Sequence, residues 1–195
     1  MKTVTYAQVK NLATDFAGRT PDNLPTSEAT MLLTFFAAEL TDIWNKETWP
    51  ELCDNVVTAA VSAGVFSKLE GAGGEMGDIL GVWDSDQRST SSGATWLDFV
   101  EGNGQVRVFN QPSAVWVDYQ TPPTDLLSVA SASLSATTLP ARFRIPLAMR
   151  GAAQLLANED PALSAKWYGM AEIELSRQAS RIMPAWWRKP IERLR

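Results

Sequence analysis

Apolar residues recur at the three- and four-residue spacing of an α-helix between positions 139 and 182, and this stretch predicts two consecutive helices. In the first helix, Phe143, Leu147, Gly151 and Leu155 share one face, and the small residues from Gly151 to Ala153 allow another helix to approach closely. The second helix carries a similar stripe, made of Tyr168, Ala171, Leu175, Ala179 and Ile182. We expect both stripes to pack in a core.

Prolines indicate where these two helices begin. Pro146 would remove a hydrogen bond from a helix already running from Pro140, so we expect the regular helix to start near Arg144. The pair Asp160-Pro161 predicts an N-cap followed by the first position of the second helix. Because the joint between the helices is short, they are expected to form an antiparallel hairpin.

Two further helices are predicted near the N-terminus. Thr3 or Thr5 can cap a short helix that ends at Gly18. Thr26 or Ser27 can cap a longer helix that runs to about position 46. Its apolar arc is wide, so we expect contacts with two neighbours, within the subunit or across an interface. The arc consists of Ala29, Leu32, Leu33, Phe35, Phe36, Leu40, Ile43 and Trp44.

Between these helical parts the pattern becomes that of strands. Val56 to Phe66 is rich in β-branched residues, and Ile79 to Trp83 is a short apolar run. The Asn103-Gly104 pair is a hairpin signal between apolar segments at 96–100 and 105–109. Ala114 to Gln120 alternates as a half-buried strand does. Together these segments predict one small antiparallel sheet of about five strands.

The sequence therefore predicts an α+β protein with a mainly helical core, made of two N-terminal helices and a C-terminal helical pair. The core comprises residues 1–48 and 138–183, and a β-rich subdomain at 49–125 is inserted into it. Residues 126–137 are rich in Ser, Ala and Thr and form either an exposed connection or an extended arm on a neighbour. Residues 184–195 form a separate C-terminal tail.

Composition excludes several kinds of chemistry. The chain of 195 residues has no histidine, which excludes Ser-His-Asp and Cys-His catalysis and histidine-ligated zinc. Its single cysteine, Cys53, excludes an intrachain disulfide and a thiolate metal cluster. Walker A and GxGxxG sequences are absent, and no apolar run reaches the length of a membrane span. We expect no enzymatic activity, no cofactor and no membrane contact.

The net charge of −5 is unevenly distributed. Residues 1–138 carry 7 basic and 17 acidic side chains, whereas residues 139–195 carry 10 basic and 5 acidic side chains. Two surfaces with different neighbours would account for this difference, as would head-to-tail contact between copies of the chain. Ordinary scatter between two parts of one domain is the remaining explanation.

The C-terminal tail combines aromatic and basic side chains. Large exposed aromatic residues lower solubility unless something covers them, so we expect the tail to dock on a protein partner. Packing on its own domain, or contact with nucleic acid or lipid, are the alternatives. The residues that we expect to bind the partner are Trp186, Trp187, Arg188, Lys189, Arg193 and Arg195.

The order of these elements, with the segments ILGVWDSDQRS, VWVDYQTPP, LPARFRIPLAMRGAAQLLANEDP and KWYGMAEIEL, resembles the head–tail connector (adaptor) proteins of tailed bacteriophages. The resemblance implies a homo-oligomeric ring, commonly of twelve copies, below the portal protein in the neck of the virion. The partner of the C-terminal tail would then be the portal protein or an adjacent subunit. Further neck or tail proteins would be the ring's neighbours, and DNA would pass through as cargo. The family has no catalytic residues, and its members are made in the host bacterial cytoplasm. A stopper or a tail-proximal neck ring is the alternative position.

Two functions of other classes remain open. A glycan-binding β module would stack sugars on three tryptophans and bond hydroxyls with three aspartates, namely Trp83, Trp96, Trp116, Asp84, Asp86 and Asp118. A carboxylate glycosidase would instead pair Asp84 or Asp86 with Asp118 or Glu101. Tryptophans on short strands are more often core residues, and acidic residues are common in turns for local reasons.

Overall fold

The computed structural model describes residues 2–46, 49, 52–70, 76–85, 93–109 and 113–180. It confirms the predicted α+β fold. The chain divides into two compact units, a helical unit of residues 1–47 and 123–195 and a β unit of residues 48–122. The sequence had suggested boundaries after residues 48 and 125.

In chain order the elements are β1 (Thr3–Thr5), α1 (Tyr6–Phe16), α2 (Thr26–Lys46), β2 (Cys53–Ala60), β3 (Val65–Ser67), β4 (Ile79–Trp83), β5 (Phe99–Gly102), β6 (Gln105–Val108), β7 (Ala114–Gln120), α3 (Ser131–Leu134), β8 (Thr138–Pro140), α4 (Arg144–Leu156) and α5 (Pro161–Ser180). The helical elements and the β1–β8 pair belong to the helical unit, and strands β2 to β7 belong to the β unit.

The N-terminus of α1 is fixed in three ways. Thr5 is the N-cap, and it forms a capping box in which the Gln8 N–H donates to the Thr5 hydroxyl and the Thr5 N–H donates to the Gln8 side chain. Thr3 lies instead in β1, which pairs antiparallel with β8. The Tyr6 N–H donates to the Thr137 carbonyl over 2.8 Å. The segment at 126–137, which contains α3, thus accepts a hydrogen bond from a backbone N–H in the first turn of α1. This N–H has no acceptor within the helix itself.

Helix α4 is the centre of the helical unit, because it contacts α1, α2 and α5. It begins at Arg144 with Pro146 in its first turn, as the sequence predicted. Gly151 faces α2 and α1: a Cβ added there would lie 2.6 Å from the Phe36 ring and 3.0 Å from the Ala13 Cβ. The predicted close approach of another helix at this residue is confirmed.

Helix α5 packs through a narrow face. The Asp160 carboxylate accepts the Leu163 N–H over 2.9 Å, which confirms the predicted cap. Ala171 and Leu175 are the residues that α5 buries. The prediction that Tyr168 is a core residue is wrong, since 44% of it is exposed, and Ile182 lies outside the described residues.

The described strands of the β unit form two three-stranded antiparallel sheets, β2–β7–β4 and β3–β6–β5. The prediction of a single sheet is therefore wrong. The chain reverses at Ala63 and Gly64, both with positive φ, so β3 leaves the path of β2 and pairs with β6. The hairpin predicted at Asn103-Gly104 is confirmed, with both residues at positive φ between β5 and β6.

One hydrophobic cluster joins the two sheets of the β unit. Its buried members come from strands of both sheets and from Met76 and Leu97 between them. The strand residues are Phe66, Ile79, Val82, Val106, Val108, Val115, Val117 and Tyr119. Successive residues of a strand point to opposite faces of the sheet. Trp83, next to Val82 on β4, and Trp116, next to Val117 on β7, therefore point away from the cluster.

Substitution of two glycines tests the role of α4 as the centre of the helical unit. Gly151→Ala should lower the free energy of unfolding by about 1–3 kcal/mol, because the new methyl group meets the buried Phe36 ring. Gly169→Ala on α5 is the matched control, since nothing lies within 4 Å of its added Cβ. Its higher helix propensity should raise stability by about 0.5–1 kcal/mol. Equal effects in urea unfolding would contradict the packing described.

Candidate functional site

The six tail residues that the sequence predicts to bind a partner lie outside the described residues. Their role as a docking segment stays a prediction. The candidate surfaces of the described chain are therefore found in the β unit and in the helical unit, each taken by itself.

Three tryptophans lie on the outer side of the sheet β2–β7–β4. Trp83 on β4 stands directly opposite Trp116 on β7, and it also bridges to Trp96. Residues directly opposite in an antiparallel pair share a side of the sheet. The pair Val82 and Val117 points the other way, into the cluster between the sheets. We call Trp83, Trp96 and Trp116 the tryptophan face.

Trp96 covers strand β4 and remains 47% exposed. Its ring centroid lies 5.0 Å from that of Trp83, with the two rings nearly perpendicular. A Cβ at Gly81 would lie 2.8 Å from the Trp96 ring and 2.9 Å from the Trp83 Nε1, so only glycine leaves room for this arrangement. The part of the Trp96 ring that does not contact Trp83 provides surface on which a ligand or partner can pack.

Asp84 is the acidic residue placed beside the tryptophan face. Its Oδ1 accepts the N–H of Thr95, the residue before Trp96, over 2.8 Å. The same oxygen accepts the Ser85 hydroxyl over 3.0 Å. The hydrogen bond from the Thr95 backbone is the main cause that lowers the pKa of Asp84. The carboxylate is therefore ionised at neutral pH, and Asp98, two residues beyond Trp96, is also exposed.

Three of the four carboxylates considered for sugar chemistry are described, and they lie in different surroundings. Asp118 on β7 is 7% exposed and lies opposite Gly81 on β4. Glu101 forms an ion pair of 2.9 Å with Lys68 at the hairpin of the other sheet. Asp86 lies outside the described residues. The glycosidase prediction therefore gains no support from their placement, whereas the three tryptophans of the glycan-binding hypothesis do share one surface.

The helical unit contains a buried ionic cluster that the sequence analysis missed. Arg150 on α4 is 1% exposed, and its guanidinium donates to Glu39 and, over 3.0 Å, to Asp42, both on α2. Its other Nη donates to Glu172 on α5. The Tyr168 ring centroid lies 5.2 Å from the Arg150 Cζ. At this distance the ring makes a cation–π contact with the guanidinium.

The charges of this cluster stabilise one another. Burial by itself would lower the pKa of Arg150, but the hydrogen bonds to Asp42 and Glu172 and the charge of Glu39 raise it. The pKa of Glu172 is lowered, chiefly by its hydrogen bond from Lys46, whose Nζ lies 2.6 Å away, and then by Arg150. The cluster thus joins α2, α4 and α5, and its contacts favour the ionised forms of Arg150 and Glu172.

A sequence signal for this cluster exists. Arg150 is the residue before Gly151, where α4 packs most closely on its neighbours. A charged residue that is buried in this way is almost always paired with an opposite charge. The partners Glu39 and Asp42 are three residues apart on α2, so they share one face. The pattern of apolar residues alone does not reveal the cluster.

No protein-family model matches this chain, and a search of curated proteins finds no similar sequence. Within the described ranges, His, Cys, Asp and Glu side chains form no group of three that could hold a metal ion. In the same part of the chain, no helix has both the length and the hydropathy needed to cross a membrane.

Removing the central cation should unfold the helical unit more easily. Arg150→Met should lower the free energy of unfolding by about 3–5 kcal/mol, because it leaves three carboxylates without their buried partner. Arg177→Met is the control: its side chain is 61% exposed and lies 3.7 Å from Glu174, so the cost should be below about 1 kcal/mol. Similar urea midpoints for both variants would contradict the role assigned to Arg150.

The cluster also predicts a pH dependence. The pKa of Glu172 is lower in the folded chain than its ordinary value of 4.5. The stabilisation that the ionised Glu172 contributes is therefore present above that value and is lost as the pH falls through the folded pKa. Glu172→Gln cannot titrate at this position. The loss of stability between pH 6 and pH 3, measured by urea unfolding, should therefore be smaller in the variant than in the wild type. Parallel losses would refute the assignment.

Proposed function

We propose that this protein is a structural virion protein of a tailed phage, a head–tail connector (adaptor) that forms a homo-oligomeric ring below the portal. DNA passes through the ring during packaging and ejection. The chain is made in the host bacterial cytoplasm and ends in the neck of the virion, at the portal vertex. A stopper or a tail-proximal neck ring would use the same features.

The observation that carries the proposal is the order of the elements in the helical unit. Two helices, α1 and α2, precede the inserted β unit, and the antiparallel pair α4 and α5 follows it. The pairing of β1 with β8 joins the parts of the helical unit on either side of the insertion. This is the order of elements on which the resemblance to connector proteins rests.

Helix α5 supplies a surface suited to contact with a neighbouring subunit. Over its twenty residues it buries only Ala171 and Leu175 among the described positions. Ile173 is 69% exposed, and Tyr168 and Met170 are also exposed. Met170 and Ile173 are three residues apart and share one face of α5, which suits contact with a partner, whereas the Tyr168 ring lies over Arg150.

The charge of the chain suits a conduit for DNA. Every phosphate that a basic residue neutralises adds salt-dependent affinity, and such contacts would hold the DNA in place. The chain has a net charge of −5, with 22 acidic and 17 basic side chains. We assign no catalytic residue and no cofactor. The partners are further copies, the portal protein and neighbouring neck or tail proteins.

A glycan-binding β module is the second candidate, because Trp83, Trp96 and Trp116 share one side of a sheet. Two features weigh against it. The rings of Trp83 and Trp96 are nearly perpendicular, so they do not form a flat platform for successive sugars. Asp118, one of the expected hydroxyl partners, is almost fully buried.

Electron microscopy and native mass spectrometry test the proposal. The full-length protein, alone and together with the portal protein of the same phage, should give class averages of a closed ring around a central pore. The native mass of the protein alone should be 21.4 kDa multiplied by the number of copies in the ring, well above the mass of a monomer. A chain that stays monomeric in both samples and binds an oligosaccharide would overturn the connector proposal and favour the glycan-binding module.

A further inference from the structure

The tryptophan face lies in the most acidic part of the chain. Residues 48–122 contain 3 basic and 10 acidic side chains. Asp84 lies next to Trp83, and Asp98 follows Trp96 by two residues, and both are exposed. The surface therefore offers a half-exposed indole ring with negative charge close to it, and its complement is an aromatic segment that carries positive charge.

A segment of that composition is present in the same chain. The C-terminal tail, residues 184–195, contains 4 basic and 1 acidic side chains. Trp186 and Trp187 stand in the middle of the segment, directly before Arg188 and Lys189. Twelve fully extended residues span at most about 40 Å.

We propose that the tail of one copy, residues 184–195, docks on the tryptophan face of the next copy. Trp186 or Trp187 packs on the exposed side of Trp96, and the tail's basic side chains pair with Asp84 and Asp98. The contact joins two different surfaces, one on each copy. Such a heterologous contact produces a closed ring when its rotation closes, and repetition around the ring strengthens each modest contact.

Two observations favour the tail over a neutral sugar at this surface. The rings of Trp83 and Trp96 meet edge to face, the geometry in which aromatic side chains pack on one another, so a further indole extends the arrangement. The charges of the two segments are opposite, and charge complementarity steers a basic peptide toward the surface but has no effect on an uncharged saccharide.

The inference rests on the part of the proposed function in which copies of the chain form a ring. It does not depend on the position of that ring in the neck. It also narrows the partner of the tail from the two candidates considered above, the portal protein and an adjacent subunit, to the adjacent subunit.

Photo-crosslinking in the full-length protein tests the contact. A photoreactive phenylalanine derivative replaces Trp187, and rings are assembled from an equal mixture of ¹⁴N- and ¹⁵N-labelled chains. We expect crosslinks from position 187 to the peptide that contains Trp96, and we expect mixed light–heavy pairs. Trp96→Ala should reduce their yield at least tenfold. The control variant Leu69→Ala should leave the yield unchanged, since Leu69 is 71% exposed in the same unit but lies outside the tryptophan face.

Each other outcome overturns the inference. Crosslinks only within single chains would show that the tail binds its own copy, and crosslinks only to an added portal protein would show that it binds the portal. Saccharide binding that Trp96→Ala abolishes, with no crosslink at this face, would assign the surface to a glycan. The native mass of the same sample separates the two proposals: intact rings without this crosslink leave the connector function standing, whereas the absence of rings counts against both.

Discussion

The helical unit depends on one buried cation. Arg150 lies almost without solvent contact on α4, and its guanidinium reaches carboxylates on α2 and α5. A buried ion pair does not always add stability, since desolvation costs about as much as the attraction returns, but it strongly disfavours any packing that leaves the charge unpaired. We infer that the cluster fixes the register of three helices, which apolar contacts between small residues such as Gly151 and Ala152 would specify less sharply.

Much of the fold follows from local sequence patterns. Helix α2 and the strands β4 and β7 occupy the ranges that periodicity predicts, and the Asn103-Gly104 hairpin and the Asp160 cap are as expected. These features depend on residues close together in the chain. The β1–β8 pair and the division of the strands into two sheets were not predicted, because they depend on pairings between distant segments that turn geometry at Ala63 and Gly64 decides.

The candidate surfaces were predictable only in part. The sequence identified Trp83, Trp96 and Trp116 as candidates for one surface, and the register of β4 and β7 places them together. The sequence could not show that Asp118 is buried or that Gly81 makes room for Trp96, since both depend on which side of the sheet is covered. The tail residues remain a prediction from composition alone.

The pairing of β1 with β8 has a consequence for the order in which the chain folds. Val4 pairs with Leu139, so the helical unit cannot close until more than 130 further residues have left the ribosome. The inserted β unit is fully synthesised before α4 appears, and its strand pairs connect residues within 48–122. We therefore infer that the β unit forms first during translation and that α1 and α2 wait, with their apolar faces uncovered, for the C-terminal helices. Until the C-terminal helices are made, these uncovered apolar faces are the part of the partly synthesised chain that is prone to aggregation.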